Sequence, residues 1–138
     1  MMTMDIKDRF YEKFKLYYKL QPPEYGVIHI ADQWVWMLSG LKEFQQWTLQ
    51  VMESQEDIVL ARGLMLSIGR LPWSFAEGWG VKVAAEALRN GNVELRDTAI
   101  SAIGLWGTKE AAEVLKDYKD EIDWLNKYVQ DTVEDILK

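Results

Sequence analysis

The sequence predicts an all-α fold: a short α-solenoid of about three helix pairs, closed by a capping helix at each end and forming a single domain over residues 1–138. Three observations carry this. Apolar residues recur at i, i+3 and i+4 almost throughout, the spacing of a helix face rather than a strand. Helix start and stop residues punctuate the chain at intervals of one helix. The chain also resembles itself. Sliding by 35 residues sets Leu60, Leu64, Met65, Ile68 and Gly69 on Leu95, Ala99, Ile100, Ile103 and Gly104, and sliding back by 30 sets the first group on Ile30, Trp34, Val35, Leu38 and Ser39. Periods of this length mark stacked helical hairpins, each burying its apolar stripe against the next.

Taken in order, the first capping helix is expected near 5–19, with Ile6, Phe10, Phe14 and Tyr17 on one stripe. Gln21-Pro22-Pro23 ends it, because the residue before a proline is pushed out of helical geometry. Whether this helix caps its own chain or swaps into a second copy is open. The first pair is expected near 28–53. The second pair, near 56–90, follows Ser54 and Asp57, spaced like a capping box. Asn90-Gly91-Asn92 closes that pair and caps the third, near 93–119, in which Gly107-Thr108 divides the two helices. A closing helix near 122–137 carries Leu125, Val129, Val133 and Ile136.

One interruption stands out. AAEAL at 84–88 corresponds to AAEVL at 111–115 at an offset of 27 rather than 35, so eight extra residues lie between Gly69 and Ala84. They fall on the stretch LPWSFAEGWG, residues 71–80. Its Trp73, Phe75 and Trp79 are not needed to build the repeat. Two geometries are open: the insertion folds back as a plug between its own helices, or it stands out as an aromatic anchor for another molecule.

Composition narrows the function. Hydrophobic residues at 49% and charged residues at 28% describe a globular chain with enough apolar material for a core. With no cysteine and one histidine, His29, neither disulfides nor a thiolate or histidine-rich metal site is available. The opening MMTMDIKDRF lacks the apolar core of a signal peptide, and no uncharged run reaches membrane-spanning length, so a cytoplasmic protein is expected. The net charge is −6, and residues 110–135 carry nine acids against three lysines. Phosphate binding demands the opposite sign, which argues against direct contact with nucleic acid.

No catalytic constellation is legible. His29 sits among apolar neighbours in GVIHIA, without a marked serine or acid partner. Phosphate-loop and dinucleotide glycine motifs are absent, the acids at 117–123 lack the glycine of a calcium loop, and no Glu-x-x-His pair occurs. Carboxylates such as Glu110 and Glu113 are expected on an exposed helix face. Seven tryptophans in 138 residues is a high number. Trp34, Trp47 and Trp106 fall on packing faces, Trp124 and Tyr128 lie one turn apart and are expected to cover the last pair, and Trp36 is ambiguous.

The best-formed unit, VELRDTAISAIGLWGTKEAAEVLKDY at 93–118, resembles a HEAT repeat: Leu95-Arg96 opens its first helix, Ala99, Ala102 and Ile103-Gly104 run down the packing face, and Ala111 and Leu115 mark the second helix. The resemblance fades over 28–90, where the arginine is missing and tryptophans replace small residues. A small, acidic, cysteine-free helical protein of this kind also resembles, in general character, the bacterial immunity proteins that block toxin domains. That likeness implies a non-catalytic, protein-binding module without cofactor or metal, whose partner is a basic toxin, most naturally a nuclease domain. The expected contact residues are Trp73, Phe75 and Trp79 with Glu77 in the insertion, and Glu86, Glu110, Glu113, Asp117, Asp120 and Asp123 as an acidic surface on the second helices and beyond. A HEAT-like scaffold or adaptor, and a HEAT-like protein binding a flat conjugated ligand in the manner of bilin lyases, are the alternatives.

Overall fold

The computed structural model describes residues 6–138, and these form helices and turns without a strand among them. Helix α1 spans Ile6–Leu20. Its expected start at residue 5 lies outside the described residues. Phe10, Phe14 and Tyr18 project at steps of four and are buried, so the buried stripe continues through Tyr18, while Tyr17 stacks on Trp34 at the margin.

The first pair is α2 (Ala31–Leu38) and α3 (Lys42–Glu53). Before it, residues 21–30 form a loop that His29 fastens: its Nδ1 accepts from the Ala31 backbone N–H at 2.9 Å, and its Nε2 bonds the Gln21 carbonyl. Both ring nitrogens are thus occupied by backbone, with Tyr18 alongside at 4.7 Å between ring centres.

The second pair begins with α4 (Ile58–Gly69), the most deeply buried helix, whose residues from Leu60 to Gly69 are all buried except Arg62. Its N-cap is Asp57, which accepts from Leu60 N at 3.1 Å. Ser54 instead ends α3 in extended geometry and receives the Glu56 N–H, so the pair read as one capping box serves two helix ends. The inserted stretch is not a loop throughout. Pro72, at the N-cap, leads into a single turn α5 (Trp73–Ala76), and α6 (Trp79–Leu88) follows. Residues 70–78 separate α4 from α6, whereas residues 107–108 alone separate the corresponding helices of the third pair.

That third pair is α7 (Val93–Trp106) and α8 (Lys109–Ala112), with a 3₁₀ turn at Glu113–Leu115 continuing α8. Asn92 caps α7 by accepting from Leu95 N, and Thr108 caps α8 by accepting from Ala111 N. Gly107 holds φ +65° between them, a left-handed conformation that favours glycine. The second helix of this pair is shorter than expected. Helix α9 (Asp123–Leu137) closes the described chain.

Helix α2 packs on α4, α4 on α7 and α7 on α9, giving one row. In a second row α3 packs on α6, and α1 lies against α3 and α4. The buried side chains form one continuous cluster from Phe10 to Val129. A close approach fixes α1: a Cβ on Gly63 would lie 2.7 Å from the Tyr18 ring, and the Tyr18 hydroxyl pairs with Ser67 one turn further along α4 at 2.9 Å.

Candidate binding surface

The insertion divides its aromatics between core and solvent. Trp73 packs against Trp106 at 5.8 Å between ring centres. Trp79 meets Phe44 edge-on at 6.2 Å, and its indole N–H donates to the Phe75 carbonyl at 2.7 Å. Both rings are half-buried and belong to the core margin. Phe75 points the other way. It is 44% exposed and lies 5.3 Å from the ring of Trp36, itself 49% exposed. The segment therefore plugs the core margin with two rings and leaves the third, Phe75, projecting. Glu77 is exposed at the end of α5.

Beside this pair runs an apolar groove of about 690 Å³ between α2 and the C-terminal end of α4. Ile28, Trp36, Met37 and Leu71 line it, with Ile28 83% and Met37 63% exposed. Across it Arg70 donates to both carboxylate oxygens of Asp32 at 3.1 and 3.3 Å and to the Glu24 carbonyl at 2.8 Å. This clamp ties the first turn of α2 and the C-terminal end of α4 to the 21–30 loop. Tyr25 anchors the same loop to α7 through Asp97 and Thr98, both at 2.9 Å. Burial, with the Asp97 contact, pushes the Tyr25 hydroxyl up to about 12.

Ile28 and Met37 were not read as contacts from the sequence, although a signal was present for Met37. Residues 34–38, Trp-Val-Trp-Met-Leu, are apolar without interruption. A helix with one buried stripe cannot turn five successive side chains inward, so some must face water. Trp36 and Met37 are the ones that do.

The acidic residues do not join the aromatic ones. Glu86 sits seven residues beyond Trp79, about 10 Å along α6, and reaches Arg89 at 3.9 Å. Glu113 and Asp117 line a shallow groove with Arg89 between α6 and the turn after α8. Glu110, Glu113, Asp117 and Asp123 are exposed.

Asp120 requires a correction: it is buried and no part of the surface. Its carboxylate accepts from Arg96 Nε at 2.8 Å and Nη2 at 3.3 Å, from the Tyr118 hydroxyl and from Ile122 N at 3.0 Å. Burial alone would raise its pKa, but these donors outweigh it and hold the carboxyl below the ordinary value. Arg96 spends its remaining donors on the Asn90 and Gly91 carbonyls at 3.0 and 2.9 Å. The readable sign was Arg96 itself, an arginine beside Leu95 on a packing face, which demands a buried counter-charge. Of the two aromatics expected to cover the last pair, Tyr128 packs on the core and bonds Ser101 at 2.8 Å, while Trp124 is 56% exposed.

No family model, no curated protein and no solved structure matches this chain. The site must therefore be judged by its own chemistry. Among the described residues no group of three His, Cys, Asp or Glu side chains is placed to hold a metal ion, and no helix is long and apolar enough to cross a membrane. What the geometry offers is a rigid apolar face with two projecting aromatic rings.

Proposed function

We propose that the protein is a non-catalytic binding module, a short HEAT-like α-solenoid that engages a partner protein through the α2–α4–α5 face. The observation that carries this reading is the exposed Trp36–Phe75 pair beside an apolar groove bordered by the Asp32–Arg70 clamp. Large aromatic side chains on a preorganised surface are where binding energy concentrates, because they bury much area while losing little rotamer freedom. The row of α2, α4 and α7, with α3 stacked on α6, supports the solenoid reading.

Within that class, the immunity-type function is the more specific proposal: a cytoplasmic inhibitor that blocks a basic, nuclease-type toxin domain by covering it. The net charge of −6 supports it, since a negative field accelerates encounter with a cationic partner. Aromatic anchor and acidic groups then act on different parts of the partner, the first by burial and the second by long-range attraction. The test is direct binding to any basic toxin domain that a neighbouring gene encodes, measured with wild type and with Trp36→Ala/Phe75→Ala. The double variant should lose at least about tenfold in affinity while its melting temperature stays close to wild type. Unchanged affinity would remove the aromatic face from the interface. The apolar groove also favours a second reading, a flat conjugated ligand, which would show itself as an absorbing species that co-purifies with wild type and not with the double variant.

A further inference from the structure

A second groove lies at the far end of the molecule, between α8 with its 3₁₀ turn and α9, and encloses about 720 Å³. Its floor is apolar, made by Ala112, Leu115, Val129 and Val133, with Leu137 at one end. Its rim departs from the charge of its surroundings. Of the nine acids in residues 110–135 only Glu113 and Glu134 border it, while Lys109, Lys116 and Lys119 all do. Among the described residues none of these three lysines is held in an ion pair. In a chain of net charge −6, the groove is thus rimmed by three free cations against two acids.

The groove also repeats a packing position used elsewhere in the fold. Helix α3 is covered by α6, and α6 rests against α7, so each second helix meets the pair that follows. Helix α8 meets α9, and α7 packs against both, but no residue of α7 or of any earlier helix lines the groove between them. From Asn126 to Leu137 the α9 wall is about 17 Å long, enough for three helical turns, and the groove is open along that length. An open trough of helical length suits a helix laid along it, whereas an acyl chain needs enclosure to lose its water.

We infer that the α8–α9 groove receives an amphipathic helix from a partner protein, apolar on the face it buries and acidic along its edges. The lysine rim selects the charge, and the alanine–leucine–valine floor takes the apolar stripe. This surface is separate from the Trp36–Phe75 face, so either can fail without the other.

The probes are two synthetic peptides of about three turns, cross-linked to hold their helices and sharing one leucine stripe, one flanked by glutamate and the other by lysine. Binding is followed by fluorescence anisotropy at low salt, with amide chemical shifts locating the contact. The glutamate peptide should bind about tenfold tighter than the lysine peptide, against the net charge of the protein, and should perturb α8 and α9. Lys109→Glu/Lys116→Glu/Lys119→Glu should invert that order, and Leu137→Asp, at an exposed position, should weaken both peptides without unfolding the protein. Equal binding of the two peptides, tighter binding of the lysine peptide, shifts that map elsewhere, or insensitivity to the triple reversal would each overturn the inference. Dodecanoate shifting the groove resonances where neither peptide does would overturn it in favour of a small anionic amphiphile.

Discussion

Replacing Asp120 by alanine separates a structural ion pair from a surface contact more sharply than any other change. Arg96 makes four hydrogen bonds, two to the Asp120 carboxylate and two to the carbonyls of Asn90 and Gly91. Alanine at 120 leaves the guanidinium buried with two of its four hydrogen bonds lost, orphans Ile122 N and leaves the Tyr118 hydroxyl only the Leu88 carbonyl at 3.4 Å. Breaking one side of a buried pair costs about 3–5 kcal/mol, because the remaining charge stays desolvated. For a domain of this size each kcal/mol lowers the melting temperature by about 3–4 °C, giving a fall of about 9–20 °C. Thermal unfolding followed by circular dichroism measures it. Arg96→Met with Asp120→Ala should cost less than the two single changes summed, because the double variant buries no lone charge. Acid adds a second readout. Since the folded carboxyl is held below its unfolded value, its stabilisation is complete above about pH 4 and is lost as pH falls through the folded pKa. The gap between wild type and Asp120→Asn should therefore narrow in acid. A melting temperature within about 2 °C of wild type for Asp120→Ala, with weakened partner binding, would refute the buried-pair account and return Asp120 to the surface.

Other expectations follow from the packing. Trp36→Ala and Phe75→Ala should each cost about 1 kcal/mol or less, whereas Trp73→Ala, which uncovers Trp106, should cost about 2 kcal/mol or more by urea unfolding. Gly63→Ala should destabilise by about 1–3 kcal/mol, since its methyl group displaces the Tyr18 ring, and a smaller ring substitute at 18 should recover part of the loss. In a spectrophotometric alkaline titration Tyr25→Phe should remove one late-ionising tyrosine, because the Tyr25 hydroxyl titrates near 12.

The helical periodicity and most caps could be read because they depend on neighbours in sequence. Asn92 and Thr108 accept from residues three positions on, as their spacing indicates. Ser54 and Asp57 were harder, since two good capping residues three apart leave the start of the helix open; residues 55–57 are not helical and α4 starts at Ile58, which decides for Asp57. The inserted stretch was located by a change in offset, but its single turn α5 was not foreseen. Nor could the directions of its rings be read, because a one-turn helix has no periodicity to follow. Which ring faces Trp106 and which faces Trp36 is set by helices distant in sequence. Asp120 was hidden by its company: composition counts a charge without revealing whether water or an arginine neutralises it. The groove face was missed for a related reason, since Ile28 lies in a loop that His29 fastens locally and Tyr25 ties to α7, a partner remote in sequence.

The seat of Tyr18 over Gly63 reaches beyond this one chain. Any descendant that gains a side chain at position 63 must shrink the ring at position 18, and any that loses the ring opens a void over the bare backbone. The two sites can drift only together, so a record of many such sequences would show them changing as a pair, with Ser67 keeping its hydroxyl only where a tyrosine remains to meet it.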